Sequence, residues 1–141
     1  MTRDDVQQFF ARRQDLWRIR DIEALARTHA EDGTVDSPML GALTGRDEIA
    51  TSYGALFRAF AEFAFEGQSL VIDGDRVAQP FLVNARHTGD FMGLHGTGKR
   101  VQFQGVMLYE LKDGLIGHER RVYDFTGLLM QMGVLRGKLP K

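Results

Sequence analysis

From Asp4 to Arg20 apolar residues recur at helical spacing, with Val6, Phe9, Phe10, Leu16 and Trp17 on one side. Thr2, Asp4 and Asp5 supply capping and dipole-compensating oxygens at the start, so the pattern predicts an amphipathic first helix. Asp21 is placed to cap a short second helix carrying Ile22, Leu25 and His29, which the turn signal Glu31-Asp32-Gly33 ends. An extended segment, Thr34 to Pro38, follows. After the turn-rich run Gly41 to Gly45, the residues Ile49, Tyr53, Leu56, Phe57 and Phe60 share one face of a third helix, with Asp47 and Glu48 in its first turn.

The period changes from helical to alternating at Glu62. Phe63 and Phe65, then Leu70 and Ile72, lead to a turn at Asp73-Gly74-Asp75. The next strand, Val77 to Phe91, sends Phe81, Val83, Ala85 and His87 to a buried face. A glycine-rich connection, Gly93 to Lys99, precedes a strand with Val101, Phe103, Gly105, Met107, Tyr109 and Leu111 on one side. Asp113-Gly114 turns the chain back along Leu115 to Phe125. Helical residues Gly127 to Met132 close the domain at 1–135, and 136–141 read as a frayed tail. Three helices followed by a meander of long antiparallel strands predict an α+β domain in which helices cover one face of a strongly curved sheet.

Composition narrows the function classes. The 141 residues suit one globular domain with one core. Eighteen basic and 19 acidic side chains give a net charge of -1, without a like-charge run that could track phosphates or lie on a membrane. Neither nucleic acid nor a membrane is expected as a partner. The absence of cysteine excludes disulfides, iron–sulfur clusters and thiol catalysis. The charged start MTRDDVQQFFARR and the lack of a run of ~18 apolar residues predict a cytoplasmic protein.

The candidate chemistry depends on how the Asp113-Gly114 hairpin closes. A two-residue turn pairs Lys112 with Leu115 and puts His118, Arg120, Val122 and Asp124 on the face of Phe103, Met107 and Tyr109. A three-residue turn pairs Leu111 with Leu115 and puts Gly117, Glu119, Arg121 and Tyr123 there instead. In the second case Glu119 and Arg121 hold each other by a charge-assisted hydrogen bond, and Arg121 offers further donors to a carboxylate, enolate or quinone oxygen. His87 ends an apolar stripe where a wall would meet a cavity mouth, a place for a general base. Tyr53 has a hydroxyl to offer an oxyanion. Trp17, Phe57, Phe103 and Tyr109 read as core, and some of them would line any cavity. Gly96-Thr97-Gly98-Lys99 lacks the strand-to-helix context of a phosphate loop. His29, His87, His95 and His118 show no metal-ligand spacing on one element. No metal or other cofactor is expected.

The phrases HAEDGTVDSPMLGALTGRDEI (29–49), RHTGDFMG, GTGKRVQFQGVMLYELKDGLI and GLLMQMG resemble the SnoaL-like polyketide cyclases. That family is a branch of the nuclear-transport-factor-2-like superfamily, which includes ketosteroid isomerase and scytalone dehydratase. The resemblance implies a cone: a curved sheet around the helices enclosing an apolar cavity, commonly dimerised through the sheet's outer face. Family cyclases use an aspartate on the final strand with a histidine on the strand before; aligned through Asp113-Gly114, these fall on Arg121 and Met107. Because both belong to one cavity, the resemblance favours the three-residue closure. Asp36 lies near the acidic residue of the isomerase and the dehydratase, although the isomerase's aspartate aligns better with Ser37.

The function expected from this reading is binding of a small apolar carbonyl or polyaromatic compound, with cofactor-free isomerase, cyclase or dehydratase chemistry. Arg121 would stabilise an oxyanion, Glu119 would orient it, and His87 or Asp36 would move the proton. Trp17, Tyr53, Phe57, Phe103, Met107, Tyr109 and Tyr123 would contact the ligand. A non-catalytic binding or scaffold module is the alternative. An epoxide-hydrolase-like enzyme ranks last, since it needs two carboxylates around Arg121. A homodimer is the expected assembly.

Overall fold

The computed structural model describes residues 1–137. Helix α1 (Arg3–Ile19) opens with a reciprocal capping box between Thr2 and Asp5, and α2 (Ile22–Arg27) is capped by Asp21. Strands β1 (His29–Ser37) and β2 (Gly41–Thr44) come before α3 (Arg46–Ala59). Then follow β3 (Phe60–Gly67), β4 (Val71–Asp73), β5 (Arg76–His87), β6 (Arg100–Lys112), β7 (Leu115–Tyr123) and α4 (Phe125–Gln131).

The sheet has seven strands in the order β2-β1-β7-β6-β5-β3, with β4 paired to β5. β1 and β7 run parallel and the other pairs antiparallel, so the sheet is mixed. This is an α+β fold with an open, curved sheet. Its inner face carries the residues that alternation on β5 and β6 picked out: Phe81, Val83 and Ala85, and Val101, Phe103, Met107, Tyr109 and Leu111 are all buried. A row of aromatic rings crosses that face. Phe65 stacks on Phe81, Phe81 meets Phe103 edge-on, and Phe103 leans on Tyr123 at 5.3 Å. Trp17 of α1 stacks on Phe65 at 4.5 Å and meets Tyr53 of α3 edge-on. Among the described residues no helix is long and apolar enough to cross a membrane.

Several boundaries differ from the sequence expectation. α2 stops at Arg27, and His29 begins a strand. Glu31-Asp32-Gly33 is a bulged stretch inside β1, where register shifts between His29 and Thr34, and not a helix-ending turn. Gly33 is required there because a Cβ would lie 2.9 Å from the Ala30 carbonyl oxygen. The run Gly41 to Gly45 supplies a strand, β2. α3 ends before Phe60, which caps it and starts β3; β5 ends at His87, short of Phe91; and α4 starts at Phe125, with Asp124 accepting from the Gly127 amide. Residues 136–137 lie in no helix or strand, while 138–141 of the expected tail lie outside the described residues.

The hairpin corrects the favoured closure. Lys112 pairs with Leu115 across a two-residue turn in which Asp113 and Gly114 both have positive φ (53° and 79°), the primed geometry that matches strand twist. Leu111 pairs with Ile116, but Glu110 then pairs with His118, so Gly117 is an extra residue on β7. This bulge shifts register by one. Tyr109 faces Glu119 and Met107 faces Arg121, so Glu119 and Arg121 reach the inner face through the bulge and not through a three-residue turn.

Candidate functional site

Five side chains from four elements form a charged cluster inside the core. Val6, Phe9, Phe10, Arg13 and Trp17 make up the buried stripe of α1, so Arg13 sits within an otherwise apolar row, 2% exposed. Its Nη2 lies 3.5 Å from Glu119 Oε1, an ion-pair contact between two almost fully buried groups. Glu119 Oε2 accepts from Arg121 Nε at 2.7 Å. Arg13 Nη1 also donates to Thr28 Oγ1, and its Nη2 to the Tyr53 hydroxyl at 3.4 Å. His29 Nε2 lies 3.1 Å from that same hydroxyl, and the Arg121 guanidinium sits 5.5 Å from the centre of the Tyr53 ring.

The protonation states follow from these contacts. Burial pushes the Glu119 carboxyl up, but its neighbours, Arg121 foremost and Arg13 among them, outweigh it and hold the group well below the ordinary carboxylate range. Burial lowers the His29 pKa from 6.5 to about 3, opposed by Glu119 and reinforced by Arg13 and Arg121, so His29 is neutral near pH 7. Both arginines remain protonated despite desolvation. The cluster therefore holds two guanidinium charges and one carboxylate.

Beside this cluster lies a shallow surface cleft of about 380 Å³. Asp36, Ser37, Pro38, Arg121 and Tyr123 are among its lining residues. Arg121 is 10% exposed, and its Nη2 is buried without a hydrogen-bond partner among the described residues. The Tyr123 hydroxyl is likewise buried and unpartnered; Ser37 is its polar neighbour, outside hydrogen-bonding geometry. Burial raises the Tyr123 pKa to about 12, against the pull of Arg121, so the phenol is a neutral donor.

The other expected site residues are spread more widely. Asp36 faces the outer side of β1, since Val35 and Ser37 take the inner positions. It lies 3.3 Å from His118 Nε2 and 3.9 Å from Arg120, 46% exposed at the cleft's edge. The arrangement around Arg121 is thus one carboxylate between two guanidiniums, the inverse of an Asp-Arg-Asp set. His87 is fully buried at the far end of β5, eight residues from Gln79, the position level with Met107 and Arg121. At ~3.3 Å per residue that is about 26 Å of strand. Its Nδ1 accepts from the Thr97 amide at 3.2 Å, which places the proton on Nε2, beside Phe60 and Phe91. Trp17, Tyr53, Phe103, Met107 and Tyr109 are buried in the core, Phe57 is half-buried, and Tyr123 lines the cleft.

Arg13 and His29 were missed as site residues. A charged residue seven positions after Val6 and four before Trp17, inside the apolar stripe, was the available signal for Arg13.

The sequence model of the SnoaL-like polyketide cyclases matches residues 5–132. The chain belongs to this family. Its SnoaL-like fold is similar to that of TsrD from Streptomyces laurentii, at 19% identity and TM-score 0.85 over 96% of this chain and 99% of that one. AclR, a putative hydroxylase from Streptomyces galilaeus, has 24% identity and TM-score 0.85 over 99% of this chain and 91% of its own. IdmH, a putative polyketide cyclase from Streptomyces antibioticus, has 22% identity and TM-score 0.76 over 91% and 98%. These likenesses establish the fold. No curated protein matches the sequence. Arg121 and Met107, the positions onto which the sequence resemblance would put a family aspartate and histidine, are direct partners across β6 and β7.

Proposed function

We propose that the cleft beside Arg121 and Tyr123 binds a small, largely apolar compound bearing a carbonyl, and that the chain performs cofactor-free proton transfer on it. The observation that carries this reading is a pair of buried donors on one strand face, Arg121 Nη2 and the Tyr123 hydroxyl, both without hydrogen-bond partners among the described residues. Buried donors left open are costly to the fold, so a pair of them at a cleft suits an oxygen supplied by a ligand. Asp36, which lines the cleft from its edge on the outer side of β1, is the carboxylate offered to take a proton from the carbon next to the carbonyl; the electron pair moves onto the carbonyl oxygen, and the two donors hold the enolate. Return of the proton at another carbon gives isomerisation; loss of a leaving group gives dehydration. Glu119 orients Arg121 and Arg13 anchors Glu119. Membership of the SnoaL-like family supports small-molecule binding.

A non-catalytic binding module is the second reading, favoured by the way the inner face is filled with packed aromatic rings. The two are separated with 2-tetralone, a bicyclic ketone with exchangeable protons beside its carbonyl. Catalysis predicts proton-to-deuterium exchange, followed by NMR, well above the buffer rate and lost in Arg121→Met and Asp36→Asn. Binding without faster exchange defeats the catalytic half and leaves the binding module. We also propose a homodimer through the outer sheet face, where Leu108 and Val122 are exposed; sedimentation at a single mass of one chain would refute it.

A further inference from the structure

Charge balance inside the core points to the kind of ligand. Among the described residues Arg13 and Arg121 face a single carboxylate, Glu119, and the two other polar rings of the cluster, His29 and Tyr53, add no second one. Around them, Arg46 donates to the His29 carbonyl oxygen, and the nearby carboxylate of Glu31 is exposed and pairs with Arg46 at 3.8 Å, so Glu31 brings no negative charge inward. Asp36, the carboxylate at the cleft, is already engaged by His118 and Arg120 on the outer face. The cluster is left with one more positive than negative charge, shared between Arg13 and Arg121, and Arg121 is the arginine that lines the cleft. An isolated charge of this kind is expensive to keep out of water. A fold that retains it gains from a ligand that completes the pair.

We infer that the cleft takes a carboxylate-bearing aromatic or polycyclic ligand, its two carboxylate oxygens accepting from Arg121 Nη2 and the Tyr123 hydroxyl. This rests on the binding half of the proposed function alone, that the cleft is the ligand site; a carboxylate that takes both donors is a bound ligand, and not the ketone whose enolate they would hold. Arg121 is nine-tenths buried and already fixed by Glu119, so it meets the ligand with little conformational freedom left to lose. Charge-assisted bonds to a guanidinium are stronger than those to a neutral donor, so an acid should be preferred to a ketone of the same shape. The apolar body of the ligand would lie over Pro38, Ala42 and the Tyr123 ring.

Calorimetric titration of the purified chain with 2-naphthoate and with 2-acetonaphthone, a neutral molecule of nearly the same outline, tests this. The expected result is at least tenfold tighter binding of the acid, weakened by added salt, with the preference abolished in Arg121→Met and reduced in Tyr123→Phe. Circular dichroism of each variant checks folding, and Tyr123→Phe, which changes no charge, keeps the test decisive if Arg121→Met does not fold. Equal or tighter binding of the ketone, weakened by the same substitutions, overturns the anion and leaves the site in place. Binding of neither probe, or binding that both variants leave unchanged, overturns the site and the anion together.

Discussion

Arg13 and Glu119 approach to 3.5 Å with 2% and 1% of their side chains exposed, tying the first helix to the last strand through charge in the middle of the core. Removing one partner from a buried ionic set leaves uncompensated charge, which costs about 3–5 kcal/mol. Glu119→Gln leaves two guanidiniums facing a neutral amide and should lose stability on that scale in urea unfolding. Replacing the set with apolar residues, as Arg13→Met, Glu119→Leu and Arg121→Met together, should recover most of the loss. A Glu119→Gln variant as stable as the parent would show that the cluster is not held by charge.

His29 gives the acid limb of stability a definite window. Its folded pKa of about 3 lies below the ordinary 6.5, so as pH falls the unfolded chain takes up the proton first. The stability due to neutral burial is therefore complete above pH 6.5 and lost as pH falls from there towards 3. Glu119 is depressed as well, and its contribution is lost only below the ordinary carboxylate value of 4.5. Between pH 6.5 and 4.5, then, His29 acts without Glu119. His29→Gln, whose amide nitrogen reaches the position of the ring Nε2 beside Tyr53, should flatten the fall in melting temperature over that interval. An unchanged slope would mean that another group sets it.

Much of this architecture was legible in local pattern. The α1 stripe and the period-two alternation of β5 and β6 identify which faces are buried, because burial acts residue by residue on helices and strands. Pairing between β1 and β7 was not legible, since it joins residues about 85 positions apart, such as Thr34 and His118, and neither strand marks its partner. The bulge at Gly117 was also hidden. A glycine in a strand signals a bulge as readily as a weak pairing position, and only the paired register distinguishes them. At the site, the inward placement of Glu119 and Arg121 was anticipated from the family pattern through the wrong turn. Arg13 went unread because a cation in an apolar stripe is normally assigned to solvent.

Gly105 is a position where backbone packing leaves no alternative residue. A Cβ there would lie 2.0 Å from the Val122 carbonyl oxygen and 2.8 Å from the Tyr123 Cα. Gly105→Ala should therefore push β6 from β7 beside Tyr123, costing about 2 kcal/mol as overpacking does. Binding of 2-naphthoate should weaken with it, because Tyr123 is the residue displaced. Wild-type unfolding and wild-type binding in this variant would show that the two strands have room to spare.

The Gly117 bulge permits a sharper test, because two deletions of equal length should behave in opposite ways. Above the bulge Leu111 pairs with Ile116; below it Glu110 pairs with His118, so Gly117 is the residue without a partner. Deleting Gly117 joins Ile116 directly to His118 and makes the ladder regular while keeping Tyr109 opposite Glu119 and Met107 opposite Arg121. The variant should fold, lose roughly 1–2 kcal/mol with the local twist, and keep its ionic cluster. Deleting Arg120 instead moves Arg121 and Tyr123 into the opposite parity, which sends the arginine to the outer face and Val122 inward. That chain should unfold without a cooperative transition or fold without binding 2-naphthoate. If both deletions gave equally stable, ligand-binding chains, the register of β7 would not be what brings Arg121 into the core.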